Sequence, residues 1–466
     1  MAGVVGVYSD NADVKAFYMA LQTQHRGQEN CGMVSCGNHS MRRYAKPGLL
    51  TSVFPSDLRK ALMHETDYVA IAHIGDKKAW EENIAPVHIE GKNYEVSVAM
   101  DGAISTGGKI EGEVKFAPND AMYAAIFTQH LEKYKSIPEA CRKTANELGP
   151  SYYSVVIAVR DKEINRSKLV AYRNRRGTMP MYMARTEKSL FVSSESGAVD
   201  GITSIPFVES RDIVPGEMMM MDRAEFGKEQ LCEPKRAHCC FQWIYSSRVD
   251  AVMEGKWSHL VREKTGELLV ELYGIKDDGN SVIIGIPDSG RSIALGAYHA
   301  TNIRYDEGLI KNQYVGRTYN IPDPFERKLA AKNKHRVIPP VVAGKRTHIG
   351  DDSIVRGTIS EVTAEALKKA GAAYVALLIS YAPIYYPCFT DEKKKHLAAK
   401  RFQGLDIREI GRRVAKELPS IDDVYYNTPE NVIKAIGLPE KDLCTYCITG
   451  KNPFENGKNG QQCPKP

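Results

Sequence analysis

Thr347-His348-Ile349-Gly350-Asp351-Asp352-Ser353-Ile354-Val355-Arg356-Gly357-Thr358-Ile359-Ser360 sets two adjacent carboxylates in front of a run of small, hydroxylated and glycine residues. The helical pattern Glu361 to Ala370 follows, and Gly371 can stop it at the C′ position. Free backbone N–H groups and a positive dipole end favour an anion where a helix begins. Ser353, Ile354, Val355, Arg356, Gly357 and Thr358 are therefore expected to hold a phosphate. Asp351 and Asp352 can accept from sugar hydroxyls or hold a hydrated Mg²⁺. An isolated Asp-Asp-Ser turn is most often a solvated loop; the whole string is what suits a phosphorylated sugar. Gly350, immediately before the acidic pair, is expected to weaken the strand it ends.

A chain of 466 residues predicts roughly two or three domains. With 43% hydrophobic and 26% charged residues, it reads as an ordinary globular protein with large cores. The net charge of +6 fits anionic small molecules, and the basic residues do not gather into a nucleic-acid footprint. Met1 to Asp10 lacks the basic start of a secretory signal. Ala370 to Tyr386 is interrupted by Gly371, Ser380 and Pro383, too short and broken to span a membrane. No nucleic-acid or membrane partner is expected, and the protein is expected to be cytoplasmic. In that reducing compartment ten cysteines argue for metal ligation or idle thiols, not a disulfide framework.

Ser281 to Ile286 is an apolar run of strand length, and Val261 to Leu272 before it is helical in pattern. Alternation of this kind predicts a parallel sheet with ligands at the carboxyl ends of its strands. At such an end stands Pro287-Asp288-Ser289-Gly290-Arg291, whose glycine allows close backbone approach to an oxyanion.

Asp351 to Thr358 resembles the PRPP (5-phosphoribosyl-1-pyrophosphate) motif of type I phosphoribosyltransferases, in the form found in the glutamine PRPP amidotransferases. That family usually has four apolar residues before the acidic pair, where this chain has Thr347, His348, Ile349 and Gly350. The resemblance makes Asp288, Ser289, Gly290 and Arg291 the pyrophosphate loop. It extends through Glu307 to Thr318, nearly unchanged from the family, and through Lys332-x-Lys334-His335 in the long basic segment Tyr319 to Val342. In the family that segment is a flexible loop that closes over PRPP. Arg317 and Lys334 are then expected to add positive charge at the site. Arg336 to Pro339 departs from the part of the loop that signals to the glutaminase.

The first half resembles class II glutamine amidotransferases in Gly3 to Tyr8, Val14 to Gln22, His25-Arg26-Gly27-Gln28, Ser193-Ser194-Glu195 and Arg211 to Glu217. This implies a four-layer α/β/β/α N-terminal-nucleophile domain over residues 1–230. A type I phosphoribosyltransferase domain with a parallel sheet would occupy residues 231–466, ending in a cysteine pair and a mobile tail. The family's nucleophile is an N-terminal cysteine, whereas removal of Met1 here exposes Ala2. Gly75 stands where the family has the arginine that holds glutamine, and Asp101-Gly102 where it has the Asn-Gly of the oxyanion hole. Asp120 survives, while the glutamate near it does not. Several losses in one pocket imply a natural, inactive glutaminase; an engineered Cys-to-Ala change at Ala2 is the other explanation.

Cys239, Cys388, Cys444 and Cys447 reproduce the pattern of family members that carry a 4Fe-4S cluster, and Zn²⁺ remains an alternative. The remaining cysteines read as idle thiols.

The resemblance implies a pentosyltransferase that makes 5-phosphoribosylamine for purine biosynthesis from PRPP and ammonia, the ammonia free or delivered by a partner protein, in a homodimer or homotetramer. The alternatives are transfer to another amine or heterocycle, and a non-catalytic PRPP or nucleotide sensor.

Overall fold

The structure is a computed structural model describing residues 2–37, 40–57, 68–76, 83–104, 119–148, 151–223, 225–312, 314–315, 323–388 and 396–453. Lys77, Lys78, Arg317 and Cys463 fall outside that set. Among the described residues the chain forms two compact units, one of Met1–Cys239 with Val252–Gly255, the other of Cys240–Ala251 and Lys256–Asn452.

In the first unit, Ala2–Tyr8 is a strand buried along its whole length. Its alternation assigns each residue to a face. Val5 and Val7 pack with the helix Ala12–Gln22, while Val4 and Tyr8 face the second sheet. A Cβ on Gly6 would meet Val156 at 2.4 Å, so that face admits only glycine where the sheets press closest. This strand is the centre of an antiparallel seven-stranded sheet ordered Glu209–Asp212, Tyr182–Arg185, Leu190–Ser193, Ala2–Tyr8, Val69–Gly75, Asn30–Cys36, Met41–Pro47. The second sheet runs Glu225–Gln230, Glu217–Asp222, Arg166–Arg173, Tyr152–Asp161, Tyr94–Ala103, Val87–Glu90. Its outer face packs on the helices Asn119–Tyr134 and Ile137–Glu147. The layers are therefore α/β/β/α, as expected.

Residues 231–239, beyond the expected boundary, remain part of this unit. Leu231 and Cys232 are buried in its core, and Lys235 N and Ala237 N donate to Arg175 O and Arg176 O, each at 2.8 Å.

The second unit is built on a parallel sheet ordered Ser281–Gly285, Arg346–Asp351, Tyr374–Ile379, Asp423–Tyr426. The strand carrying the acidic pair is internal, and residues 347–351 are buried. Burial holds the His348 imidazole neutral, pushing its pKa down to about 4.

Gly350 has a role that its strand propensity conceals. A Cβ there would meet Gly290 O at 2.8 Å and Ala294 N at 2.9 Å; one on Gly290 would meet Gly350 O at 2.0 Å. The helix Gly290–Thr301 thus lies directly on the strand end, which a side chain at position 350 would forbid. The basic segment read as a loop also contains regular structure, the helix Pro324–Lys334. Asp323 caps it by accepting from Glu326 N at 2.6 Å, with Pro324 at the first helical position. Among the described residues no helix is long and apolar enough to cross a membrane.

Candidate active site

Asp351 ends its strand and Asp352 leaves it. Ser380 N and Tyr381 N donate to their carbonyls at 3.0 Å, which extends the sheet's edge and fixes both backbones. The carboxyl of Asp352 accepts from Ser289 Oγ and Ser353 Oγ, each at 2.7 Å, and Asp351 Oδ1 accepts from Asp352 N at 2.9 Å. Ser289 and the acidic pair are thereby one structure.

Burial, then the neighbouring Asp352 carboxylate, raises the Asp351 pKa well above the usual range. Burial raises Asp352 as well, against its two hydroxyl donors and the charges of Arg262 and Lys334. Among the described residues no salt bridge reaches either acid. Adjacent buried carboxylates without a salt bridge are a donor set that fits a hydrated divalent cation or sugar hydroxyls.

Behind the acids, the buried Arg262 donates to Trp243 O at 2.8 Å and Ser247 O at 2.7 Å, which fixes its charge in place. Lys334, at the end of the Pro324–Lys334 helix, lies near enough for its charge to lower both carboxyls. It is anchored by Asn312 N, which donates to its carbonyl at 2.8 Å, and by the antiparallel pairing of Leu309–Lys311 with His335–Val337. The charge of Lys334 thus reaches the acidic pair, and Arg317 lies outside the described residues.

The loop 287–291 begins with a cis Pro287–Asp288 peptide. Asp288 is met by Lys311 Nζ at 2.5 Å and Arg291 at 3.7 Å, and Arg291 also reaches Glu307 at 3.1 Å. Lys311 and Arg262 were not singled out from sequence. Lys311 belongs to the family-like run Glu307 to Thr318, while Arg262 sits in an ordinary helical pattern and gave no local signal.

The turn 353–358 is held by its own apolar residue. Ile354 is buried, Val355 O accepts from Ala398 N at 2.9 Å, and Arg356 is exposed. Gly357 adopts φ 82° against the Leu418 side chain, directly before the helix Thr358–Lys369. A β-carbon there would be strained by the backbone and crowded by Leu418. Ser353 points to Asp352, so the turn offers an anion chiefly the N–H groups around Gly357 and Thr358.

The corresponding region of the first unit is closed by charge. Asp101 Oδ1 accepts from Ala2 N at 2.7 Å, and Asp101 Oδ2 pairs with Arg26 at 2.7 Å. Arg26 donates further to Ala2 O at 2.7 Å and to Glu195 at 2.8 Å, and His25 Nε2 also meets Glu195 at 2.8 Å. Arg26, Asp101 and Glu195 are all at most 2% exposed. Gly102 has φ 131°, and a Cβ there would lie 2.2 Å from Tyr152 O. A Cβ on Gly75, opposite Ala2 in the strand register, would meet Asn30 Oδ1 at 2.3 Å. Asp120 accepts from Met100 N at 2.7 Å, and burial raises its pKa.

No family model matches the chain. It is 31% identical over 490 aligned residues to a Methanocaldococcus jannaschii protein named amidophosphoribosyltransferase, with 98% of each chain covered. The chain belongs to the amidophosphoribosyltransferase family. A Methanothermobacter thermautotrophicus relative of the same name is 29% identical, with 97% of this chain and 94% of that one covered. Two solved structures agree with the family's architecture. One, described as the allosteric regulatory enzyme of purine biosynthesis, superposes with a TM-score of 0.80 at 25% identity, covering 100% of this chain and 99% of that one. The other, glutamine PRPP amidotransferase from B. subtilis complexed with ADP and GMP, gives 0.78 at 26% identity with 97% of each covered. The amidophosphoribosyltransferase fold, an N-terminal-nucleophile domain followed by a phosphoribosyltransferase domain, is therefore the fold of this chain.

Of the described cysteines, none is in a disulfide. Cys388, Cys444 and Cys447 belong to the second unit and Cys239 ends the corresponding stretch of the first. Tyr385 N and Tyr386 N donate to Cys447 O at 2.9 and 3.1 Å, which lays the segment leading to Cys388 along the Cys444–Cys447 turn. Tyr381 OH lies 3.1 Å from Cys447 Sγ.

Proposed function

We propose that the chain is a pentosyltransferase that moves the 5-phosphoribosyl group of PRPP onto ammonia, giving 5-phosphoribosylamine for purine biosynthesis, and that it does not hydrolyse glutamine itself. The observation that carries this reading is the contrast in charge compensation. Asp351 and Asp352 are buried, with no salt bridge among the described residues, beside the turn 353–358, whereas Asp101 pairs with Arg26 and accepts from Ala2 N.

Displacement of pyrophosphate from ribose C1 develops positive charge on the sugar and negative charge on the leaving group. Asp351 and Asp352 orient the ribose hydroxyls, and their charge favours the cationic sugar. The N–H groups at Gly357 and Thr358 receive the 5-phosphate. Lys311, Arg291 and Lys334 stand on the pyrophosphate side, the first two released from Asp288 and Glu307 as the leaving group binds; Arg317 is proposed to join them. Asp351 and Asp352 would also hold a hydrated Mg²⁺, which supplies charge neutralisation for pyrophosphate. The helix Pro324–Lys334 covers the site from water, the competing nucleophile.

In the first unit Ala2 has no nucleophile, Asn30 fills the space of a side chain at Gly75, and a carboxylate occupies the oxyanion position. Among the described residues no group there would stabilise a tetrahedral oxyanion. Ammonia would come from solution or from a partner protein.

Cys239, Cys388, Cys444 and Cys447 are proposed to hold a 4Fe-4S cluster, with Zn²⁺ as the alternative.

The decisive experiment measures PRPP consumption with ammonium, glutamine and a panel of amines, on protein purified without oxygen. Turnover with ammonium and none with glutamine is expected. Comparable glutamine-dependent turnover would overturn the reading, and turnover only with a larger amine would move it to another acceptor. The absorption spectrum of the same sample distinguishes iron from zinc.

A further inference from the structure

We propose that the surface shared by the helices Ser258–Tyr273 and Gly290–Thr301 is a binding site for a first-row divalent transition-metal ion, separate from the acidic pair. His259, Glu263 and Glu267 recur every four residues along one face of the first helix, and His299 projects from the last turn of the second. His299 Nδ1 lies 2.7 Å from Glu263 Oε1, and His259 Nε2 lies 3.6 Å from Glu263 Oε2. Ligand atoms of Glu263, Glu267 and His299 all fall within 4.8 Å of one another. Adjacent ligands held at about 2.1 Å from one ion are themselves roughly 3 Å apart, so an ion can replace the His299–Glu263 hydrogen bond with little movement.

The backbone beneath these side chains is fixed. A Cβ on Gly296 would meet Glu263 O at 1.9 Å, and one on Gly266 would meet Ile293 O at 2.1 Å. The helices touch backbone to backbone at the very residue that supplies the central carboxylate. His259 is oriented as well, since its Nδ1 bonds Ser292 Oγ on the facing helix at 2.9 Å, which leaves Nε2 toward Glu263. Lys264 Nζ holds one oxygen of Glu267 at 2.5 Å and leaves the other available.

Two imidazoles with two carboxylates suit Zn²⁺, Co²⁺ or Ni²⁺ and not Mg²⁺ or Ca²⁺, which take oxygen donors. Glu263 and Glu267 are 16% and 27% exposed, and His259 and His299 42% and 47%, so the ion enters from solvent. The second helix begins at the pyrophosphate loop, and an ion at its far end would tie it to its neighbour.

The test is titration of Co²⁺ and Zn²⁺ into the full chain with its cysteine site filled, beside the variants His299→Ala, His259→Ala and Lys264→Ala. One further equivalent is expected to bind the parent, with cobalt ligand-field bands and no added thiolate charge-transfer band. His299→Ala should weaken it at least tenfold while keeping the parent's metal-free unfolding temperature, and Lys264→Ala should tighten it. Excess Mg²⁺ should not displace the ion. Equal affinity in the parent and His299→Ala, or a thiolate band accounting for all bound cobalt, would overturn the proposal.

Discussion

The two units each bury carboxylates at the end of a strand, and they treat them oppositely. Asp101, in the first, has an arginine and a backbone N–H at 2.7 Å and is wholly buried. Asp351 and Asp352, in the second, have hydroxyl and amide donors and each other, with their pKa values raised. A compensated carboxylate is a structural element, because removing its partner leaves a buried charge. A pair whose burial outweighs the nearby charges of Lys334 and Arg262 is a stored repulsion that a cation or substrate can relieve, and it costs stability until one arrives. On the proposed function, the contrast separates a site converted to structure from one kept for chemistry.

The largest effect that would break this comparison lies in the first unit. Arg26→Ala leaves Asp101 and Glu195 buried without their shared cation, and should cost about 3–5 kcal/mol of unfolding free energy. Urea denaturation followed on that unit measures it, and a loss below about 1 kcal/mol would show that the network is not what holds Asp101.

Asp351→Asn should act in opposite directions on activity and stability. PRPP turnover should fall at least about 100-fold, or roughly 2.7 kcal/mol of transition-state stabilisation. The ligand-free protein should become more stable by about 1 kcal/mol, a Tm rise of roughly 2–4 °C. Both folded pKa values lie above the unfolded value near 4. The folded unit therefore retains protons that the unfolded chain has released, and its stability falls as pH rises above about 4. Asp351→Asn should flatten that fall; an unchanged pH profile would mean that the pair carries no repulsion.

Gly350→Ala should cost about 1–3 kcal/mol as the Gly290–Thr301 helix is pushed off the strand. The Km for PRPP should rise more than kcat falls, because the loop before that helix moves with it. The smallest expected effect is none: with only Ala2→Cys, glutamine-dependent turnover should stay at background. Activity on glutamine in this variant would show that the first unit is one substitution from function, and the contrast between the units would fail.

The fold was legible where the argument is local. The apolar runs Gly3 to Tyr8 and Ser281 to Ile286 describe buried strands directly. What escaped was set by long-range packing. Gly350 reads as a flaw in a strand until Gly290, sixty residues away, is brought against it. Asp101 reads as a charge opposing catalysis until Arg26 turns it into a closed ion pair. The helix Pro324–Lys334 did carry a local signal, Asp323-Pro324 followed by Glu326, but the density of basic residues and the family's flexible loop outweighed it. Residues 231–239 read as part of the second domain, yet they belong to the first unit, and Leu231 and Cys232 enter its core.

The contact of Gly290 with Gly350 also has an evolutionary side. With an apolar side chain in place of Gly350 this chain could not seat the Gly290–Thr301 helix where it does, since even a methyl group would lie 2.8 Å from Gly290 O. Mutational paths between the two arrangements pass through a clash if position 350 changes first, and through a cavity if the helix retreats first. The glycine pair and the helix position should therefore be inherited together, as a lineage marker that separates close relatives of this chain from the rest of its family.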